Sequence, residues 1–298
     1  MNKQVRGSIY LALAASIWGL MYVVSKYIFL YIPPLALVWL RYLFAVLFLF
    51  AVLLCQRKLR KSFSYLTVSD WLLLAAIGFF GYFLSIIFQF MGTSLSDAHT
   101  GSLITSSTPA FVALFAWLLL KETITARKLF SLLLATAGVI LTTGLPTGHS
   151  RQFIGDLLLI GAAVTWALLT VFVKMATERH INSLLLTASA MVMALALTTP
   201  WFVSDWMHGT VHLMDRKVLA GVLFLGLIAT AGAFFLWNKG LEFVDASAGS
   251  LFLFFQPLFG TVFSWLFLGE VITPRFCIGS AIIVIAVLIA SFNPLPSR

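Results

Sequence analysis

Apolar residues run along this chain in stretches of about 20, each long enough to cross roughly 30 Å of hydrocarbon as a helix. Ten stretches predict helical spans at 7–29, 34–55, 70–90, 98–120, 127–145, 153–174, 183–204, 217–238, 246–268 and 274–292. They are continuously apolar rather than alternating, which favours helices over a barrel of strands. The polar connections are short and leave no room for a separate soluble domain. The predicted fold class is an all-α membrane protein with ten transmembrane helices.

One motif breaks into this pattern twice. "DAHTGSLITSSTP" at 97–109 returns as "DASAGSLFLFFQP" at 245–257, an offset of 148 residues. At that offset 14 of the 29 positions from Asp97 to Thr125 are identical to those from Asp245 to Thr273, where apolar composition alone gives roughly three. The same shift lays Ala14, Ala15, Trp18 and Lys26 on Ala162, Ala163, Trp166 and Lys174, and Gly78 on Gly226. The chain reads as two repeats, 1–148 and 149–298, of five spans each. Because five is odd, the second copy enters the bilayer from the opposite side, making ten helices in two inverted five-helix repeats.

Charge supports the inversion independently. The loop "QRKLRKSF" at 56–63 becomes "SDWMHGTV" at 204–211, without a single Lys or Arg, and "KETITARK" becomes "GEVITPRF". Basic residues have left the loops that inversion puts outside. With the amino terminus inside, 13 of the 19 Lys and Arg fall on inner loops or ends, five on outer ones, and Arg41 inside span 2. Both termini are expected in the cytoplasm and the chain in the cytoplasmic (inner) membrane. The basic start "MNKQVRG" precedes a full-length apolar run, so the first span is read as uncleaved.

Composition agrees: 61% hydrophobic residues, 10% charged and a mean hydropathy of +1.04 leave too little polar surface to coat a water-soluble globule. The net charge of +9 is a topology signal, and no basic face is left for nucleic acid. Cys55 and Cys277 belong to opposite membrane faces, so they form no bridge and are expected in the core. His208 and His212, with Asp205 and Asp215 nearby, have helical spacing, but Gly209 between them argues against a metal-binding helix. No metal site and no cofactor are expected. Nor do acids, ligands or a nucleophile–base pair converge at one depth, so an enzyme is not expected.

Each repeat carries "D-A-x-x-G-S-L" entering span 4 or 9, a mid-span Pro and a closing "W-L-x-L-x-E-x-I-T". With five spans per repeat, this resembles the drug/metabolite transporter superfamily, specifically its EamA-type ten-helix members. The resemblance covers the whole chain. It implies a carrier with a central cavity between the repeats, moving small molecules across the lipid bilayer, with amino acids and similar metabolites as cargo and export as the direction. A carrier of cationic amphipathic compounds is the alternative, followed by a channel or a non-transporting scaffold.

Several residues are candidates for the cavity wall. Trp18 and Trp166 occupy matching places near the centres of spans 1 and 6, although Trp ordinarily favours the interfaces. Tyr22 and Thr170 lie one turn from them, and Tyr82, Phe234 and Trp237 can add aromatic surface for an apolar or cationic solute. Pro109 and Pro257 are expected to bend spans 4 and 9 as kink or gating points. Beside them Thr105, Ser106 and Gln256 offer polar groups. Arg41, costly in a bilayer, either snorkels outward or pairs with a carboxylate or a partner helix. Glu122 and Glu270 are expected to cap neighbouring helix amino termini. No carboxylate lies at mid-depth, which weakens a proton relay, while coupling through His99, Glu242 or Asp245 stays open.

Overall fold

The computed structural model describes residues 2–55, 66–95, 107–143, 152–213, 215–268 and 274–291, without the side chains of some positions, Tyr22 and Lys26 among them. Each of the ten predicted spans holds a helix. The first repeat contributes α1 (Lys3–Ile28), α2 (Pro34–Cys55), α3 (68–95), α4 (Thr108–Leu120) and α5 (Ala126–Thr143). From the second come α6 (Gln152–Glu178), α7 (Ser183–Met207), α8 (216–241), α9 (246–268) and α10 (Pro274–Ser291). Local chemistry sets the starts: Thr67 and Asp70 form a reciprocal capping box before α3, and Asn182 and Asp215 accept first-turn amides of α7 and α8. Among the described residues, six helices are by length and composition able to cross a membrane.

Three helices are not regular throughout. A π-helical turn widens α3 at Ile77–Leu84, and another widens α8 at Phe224–Gly232. These are equivalent places in the two repeats, ending at matching positions, with the second beginning one residue earlier. α9 begins with Ala246–Ser250, tightens into a 3-10 turn at Leu251–Phe254 and resumes as an α-helix at Phe255–Leu268. Pro257 stands in the first turn after the tightening, where its missing N–H matters least. In the other repeat Pro109 lies in the first turn of α4 as described, a position a proline also tolerates.

The principal helix pairings all join one repeat to the other. α1 packs on α8 and α9, while α6 packs on their counterparts α3 and α4. α2 meets α7, α5 meets α10, and α2–α8 is mirrored by α7–α3. Glycines set the closest approaches. A Cβ on Gly240 would lie 2.6 Å from Leu11 Cγ and 3.0 Å from the Gly7 carbonyl oxygen. One on Gly92 would lie 2.8 Å from Leu159 Cγ and 3.0 Å from the Gly155 carbonyl oxygen. Shifting either triad by the repeat offset gives the other, residue for residue. Helices in lipid gain little from hydrophobicity against one another, so such close backbone contact carries much of their association.

The surface follows the bilayer expectation. Trp71, Trp117, Trp201, Trp206 and Trp265 are exposed, all towards helix ends. Cys55 and Cys277, expected in the core, are instead exposed. Both sit in terminal turns, where an apolar thiol costs little against lipid. Helix α7 stops at Met207 and Gly209 turns with φ of +69°, so His208 and His212 do not share a helix face. The His212 amide donates to the Tyr31 carbonyl instead.

Candidate functional site

At the centre of the molecule the matched tryptophans of the two repeats meet. The rings of Trp18 (α1) and Trp166 (α6) are 5.2 Å apart and nearly perpendicular, at 85°. Phe234 and Trp237 of α8 close on Trp18 at 5.2 and 5.4 Å, and Tyr82 of α3 lies 4.6 Å from Phe234. Edge-to-face contacts of this kind are worth about 0.5–1.5 kcal/mol beyond the area they bury. Trp18, Tyr82, Phe234 and Trp237 are at most 2% exposed. This places the buried Trp18 and the half-buried Trp166 at mid-helix, far from the interfaces indoles ordinarily prefer.

Polar groups thread this aromatic cluster. Trp18 Nε1 donates to the Ala229 carbonyl (3.0 Å) in the π-turn of α8, and the Tyr42 hydroxyl donates to the Tyr82 carbonyl in the π-turn of α3. Asn238 Nδ2 donates to Tyr82 Oη and to Thr187 Oγ1, both at 2.8 Å. Three buried polar atoms, Trp166 Nε1, Trp237 Nε1 and Asn238 Oδ1, have no hydrogen-bond partner among the described residues. Leaving such groups unmet typically costs about 1–3 kcal/mol each. Two donors and one acceptor of the cluster therefore lack a hydrogen-bond partner among the described residues.

Arg41 is 3% exposed and does not snorkel. Its Nε donates to Thr230 Oγ1 at 3.0 Å, and its guanidinium carbon lies 5.6 Å from the centre of the Phe90 ring. Thr230 in turn donates to the Leu225 carbonyl at 2.6 Å, within the widened turn. Thr170 is buried and back-bonds to the Trp166 carbonyl at 3.1 Å. Gln256 is half-buried in α9, and its backbone carbonyl is 2.8 Å from where a Cβ on Gly19 would lie, beside Trp18. Thr105, Ser106, His99, Glu270 and the Tyr22 side chain lie outside the described residues. Sequence reasoning missed Tyr42, Thr187, Thr230 and Asn238. Their one signal was a polar or hydroxylic side chain within an apolar run.

A second polar cluster joins the end of α4 to the start of α9. Glu122 accepts from the Ala246 amide (2.9 Å), the Ser247 amide (3.3 Å) and the Ser247 hydroxyl, so it caps α9 of the other repeat rather than the helix that follows it. Lys128 bridges Glu122 (3.4 Å), Ser247 Oγ (2.8 Å) and Asp245 (3.6 Å). Just before α9, the Leu241 and Val244 carbonyls accept from Lys174 of α6, and Glu242 binds Ser183 and Lys239. A cavity of about 170 Å³ beside Glu122 is lined mainly by apolar residues of α4 and α5. No group of three or more metal-ligating side chains occurs among the described residues.

Apolar helices in two repeats, six of them long enough among the described residues to cross a membrane, packed across a buried amphipathic cluster, are the architecture of a membrane transporter. The profile of the EamA-like transporter family matches this chain twice, over residues 5–144 and 153–292, and the chain belongs to that family. It is 28% identical over 277 residues to a Bacillus subtilis protein named uncharacterized transporter YetK, covering 91% of this chain and 82% of YetK. An uncharacterized transporter of Archaeoglobus fulgidus is 27% identical over 286 residues, covering 94% and 97%. A solved crystal structure superposes with a TM-score of 0.79 at 18% identity, over 95% of this chain and 96% of that one, which establishes the fold alone.

Proposed function

We propose that this transporter carries small amphipathic metabolites, foremost amino acids with aromatic or apolar side chains, outward across the cytoplasmic membrane by alternating access. The observation that carries this reading is the central cluster, where aromatic faces are combined with two unpaired indole N–H groups and one unpaired amide oxygen. An apolar side chain suits the rings, a carboxylate suits the N–H donors, and an ammonium suits Asn238 Oδ1. Trp18, Trp166, Phe234, Trp237 and Tyr82 form the wall of this site, with Thr170 and Gln256 flanking it and Arg41 above it. Thr105, Ser106 and Tyr22 complete it by their places in the sequence, and Pro109 and Pro257 act as its hinges. Both termini face the cytoplasm.

A second reading follows from the same rings: among the described residues no carboxylate stands beside them, and π faces alone can hold a quaternary or amphipathic cation. Thermal stabilisation of the purified protein by amino acids, amines and aromatic toxins separates the two, since a ligand at 100 times its Kd stabilises by about 2.7 kcal/mol. Hits are then carried into proteoliposomes. Saturable uptake with counterflow is expected; flux without counterflow would indicate a channel, and no flux a scaffold.

Arg41→Gln is expected to lower transport of zwitterionic or anionic solutes about tenfold or more, in line with the loss of a hydrogen bond from a charged donor. Protein levels in the membrane should hold. Initial rates at matched protein amounts give the answer, and unchanged kinetics would remove Arg41 from the site.

A further inference from the structure

Inverted repeats make each contact of one half a template for its counterpart, and at the centre the template is fulfilled once. Trp18 Nε1 donates to the Ala229 carbonyl at 3.0 Å. Moved by the repeat offset, that bond joins Trp166 Nε1 to the carbonyl of Gly81. Trp166 Nε1 is buried and has no hydrogen-bond partner among the described residues. Both acceptors lie in the widened turns, Gly81 within Ile77–Leu84 and Ala229 within Phe224–Gly232. Such turns recur at functional sites.

The backbone does not stand in the way of the missing bond. α3 and α6 cross in the same register as α8 and α1, because Gly92 against Leu159 and Gly240 against Leu11 are equivalent pairs. At Gly81 itself a Cβ would fall 2.4 Å from Leu169 Cδ1, so α6 passes close to the acceptor residue. The indoles differ between the halves: Trp18 Nε1 is bonded and Trp166 Nε1 is not. In an edge-to-face pair one ring supplies its edge and the other its face, and two rings related by a two-fold axis cannot do both at once. The pair therefore has two equivalent forms, one for each choice of ring.

We infer that Trp18 and Trp166 are alternate latches: the Trp18–Ala229 hydrogen bond holds the state closed by Glu122, and in the opposite-facing state Trp166 donates to the Gly81 carbonyl while Trp18 lets go. This rests on the alternating access proposed above and adds to it the element that distinguishes the two states. Exchange needs both rings to turn together, which ties the centre of the molecule to its ends.

The test uses the full chain in lipid nanodiscs, with Cys55 and Cys277 replaced by serine and Leu251→Cys as a reporter. Leu251 is 3% exposed behind the Glu122 cluster. Trp18→Phe is expected to speed maleimide labelling of the reporter roughly fivefold, and Trp166→Phe to slow it by a similar factor, the worth of one net hydrogen bond. Changes of the same sign in both variants would overturn the latch, since a merely structural role weakens packing alike. A reporter that stays unlabelled even in Glu122→Ala would overturn alternating access and the latch with it. Should a variant fail to fold, indole 15N–1H spectra of the otherwise unaltered chain decide. The Trp18 and Trp166 signals must exchange between bonded and unbonded shifts in opposite senses, and a Trp166 signal fixed while Trp18 exchanges would refute the proposal.

Discussion

Gly240→Val is expected to cost about 3 kcal/mol or more and to leave little folded protein. Overpacking a tight contact by a few methylenes costs about 1–3 kcal/mol when neighbours can move aside. Here the first added carbon already lies 2.6 Å from Leu11 Cγ and 3.0 Å from a backbone oxygen of Gly7, and a backbone cannot rotate away. Gly92→Val should behave in the same way, because Leu159 and Gly155 stand where Leu11 and Gly7 stand. Gly209→Ala is the control: nothing lies within 4 Å of its Cβ, and only the strain of a positive φ is added. Thermal unfolding in detergent, followed by tryptophan fluorescence, measures all three. A Gly240→Val protein melting with the parent would mean that α1 and α8 do not cross where described.

The second large effect is expected from Glu122→Ala. Its carboxylate meets two amides, a hydroxyl and an ammonium, all at the start of α9 or on α5. An anion at a partly buried helix amino terminus is worth up to about 2 kcal/mol, or roughly thirtyfold in an equilibrium between closed and open ends. Labelling of Leu251→Cys should accelerate accordingly. Glu122→Gln, which keeps one acceptor and the shape, should fall between. Equal labelling in parent and Glu122→Ala would show that this cluster does not hold the end shut.

Much of the architecture was legible because a bilayer imposes simple rules. Span length, unbroken apolarity and the migration of Lys and Arg each depend on local composition, and together they yield ten helices and an inverted pair. Gly7 and Gly155, Leu11 and Leu159, and Gly92 and Gly240 are also identical at the repeat offset. Their meaning emerged only from the fold, since a glycine in an apolar run carries no mark of what it faces. Glu122 was expected to cap a nearby helix, but its partner lies 124 residues away in the other repeat. The π-turns were not legible, because one additional residue in a turn changes neither composition nor periodicity enough to register. Asn238 shows the same limit: it and its partners, Tyr82 and Thr187, stand on three separate helices and meet only once these are packed.

The interleaving of the two halves bears on how the molecule is made. Since α1 packs chiefly against α8 and α9, the glycine face around Gly7 has no protein to meet until the chain has grown past Gly240. At about 5–20 residues per second, that wait is on the order of ten to fifty seconds of synthesis. Throughout it, early segments must persist as separate rods surrounded by lipid, each keeping its own backbone hydrogen bonds. Entry into the bilayer and assembly are consequently distinct events, and a ribosome stalled near the midpoint would leave behind five inserted helices lacking their main partners.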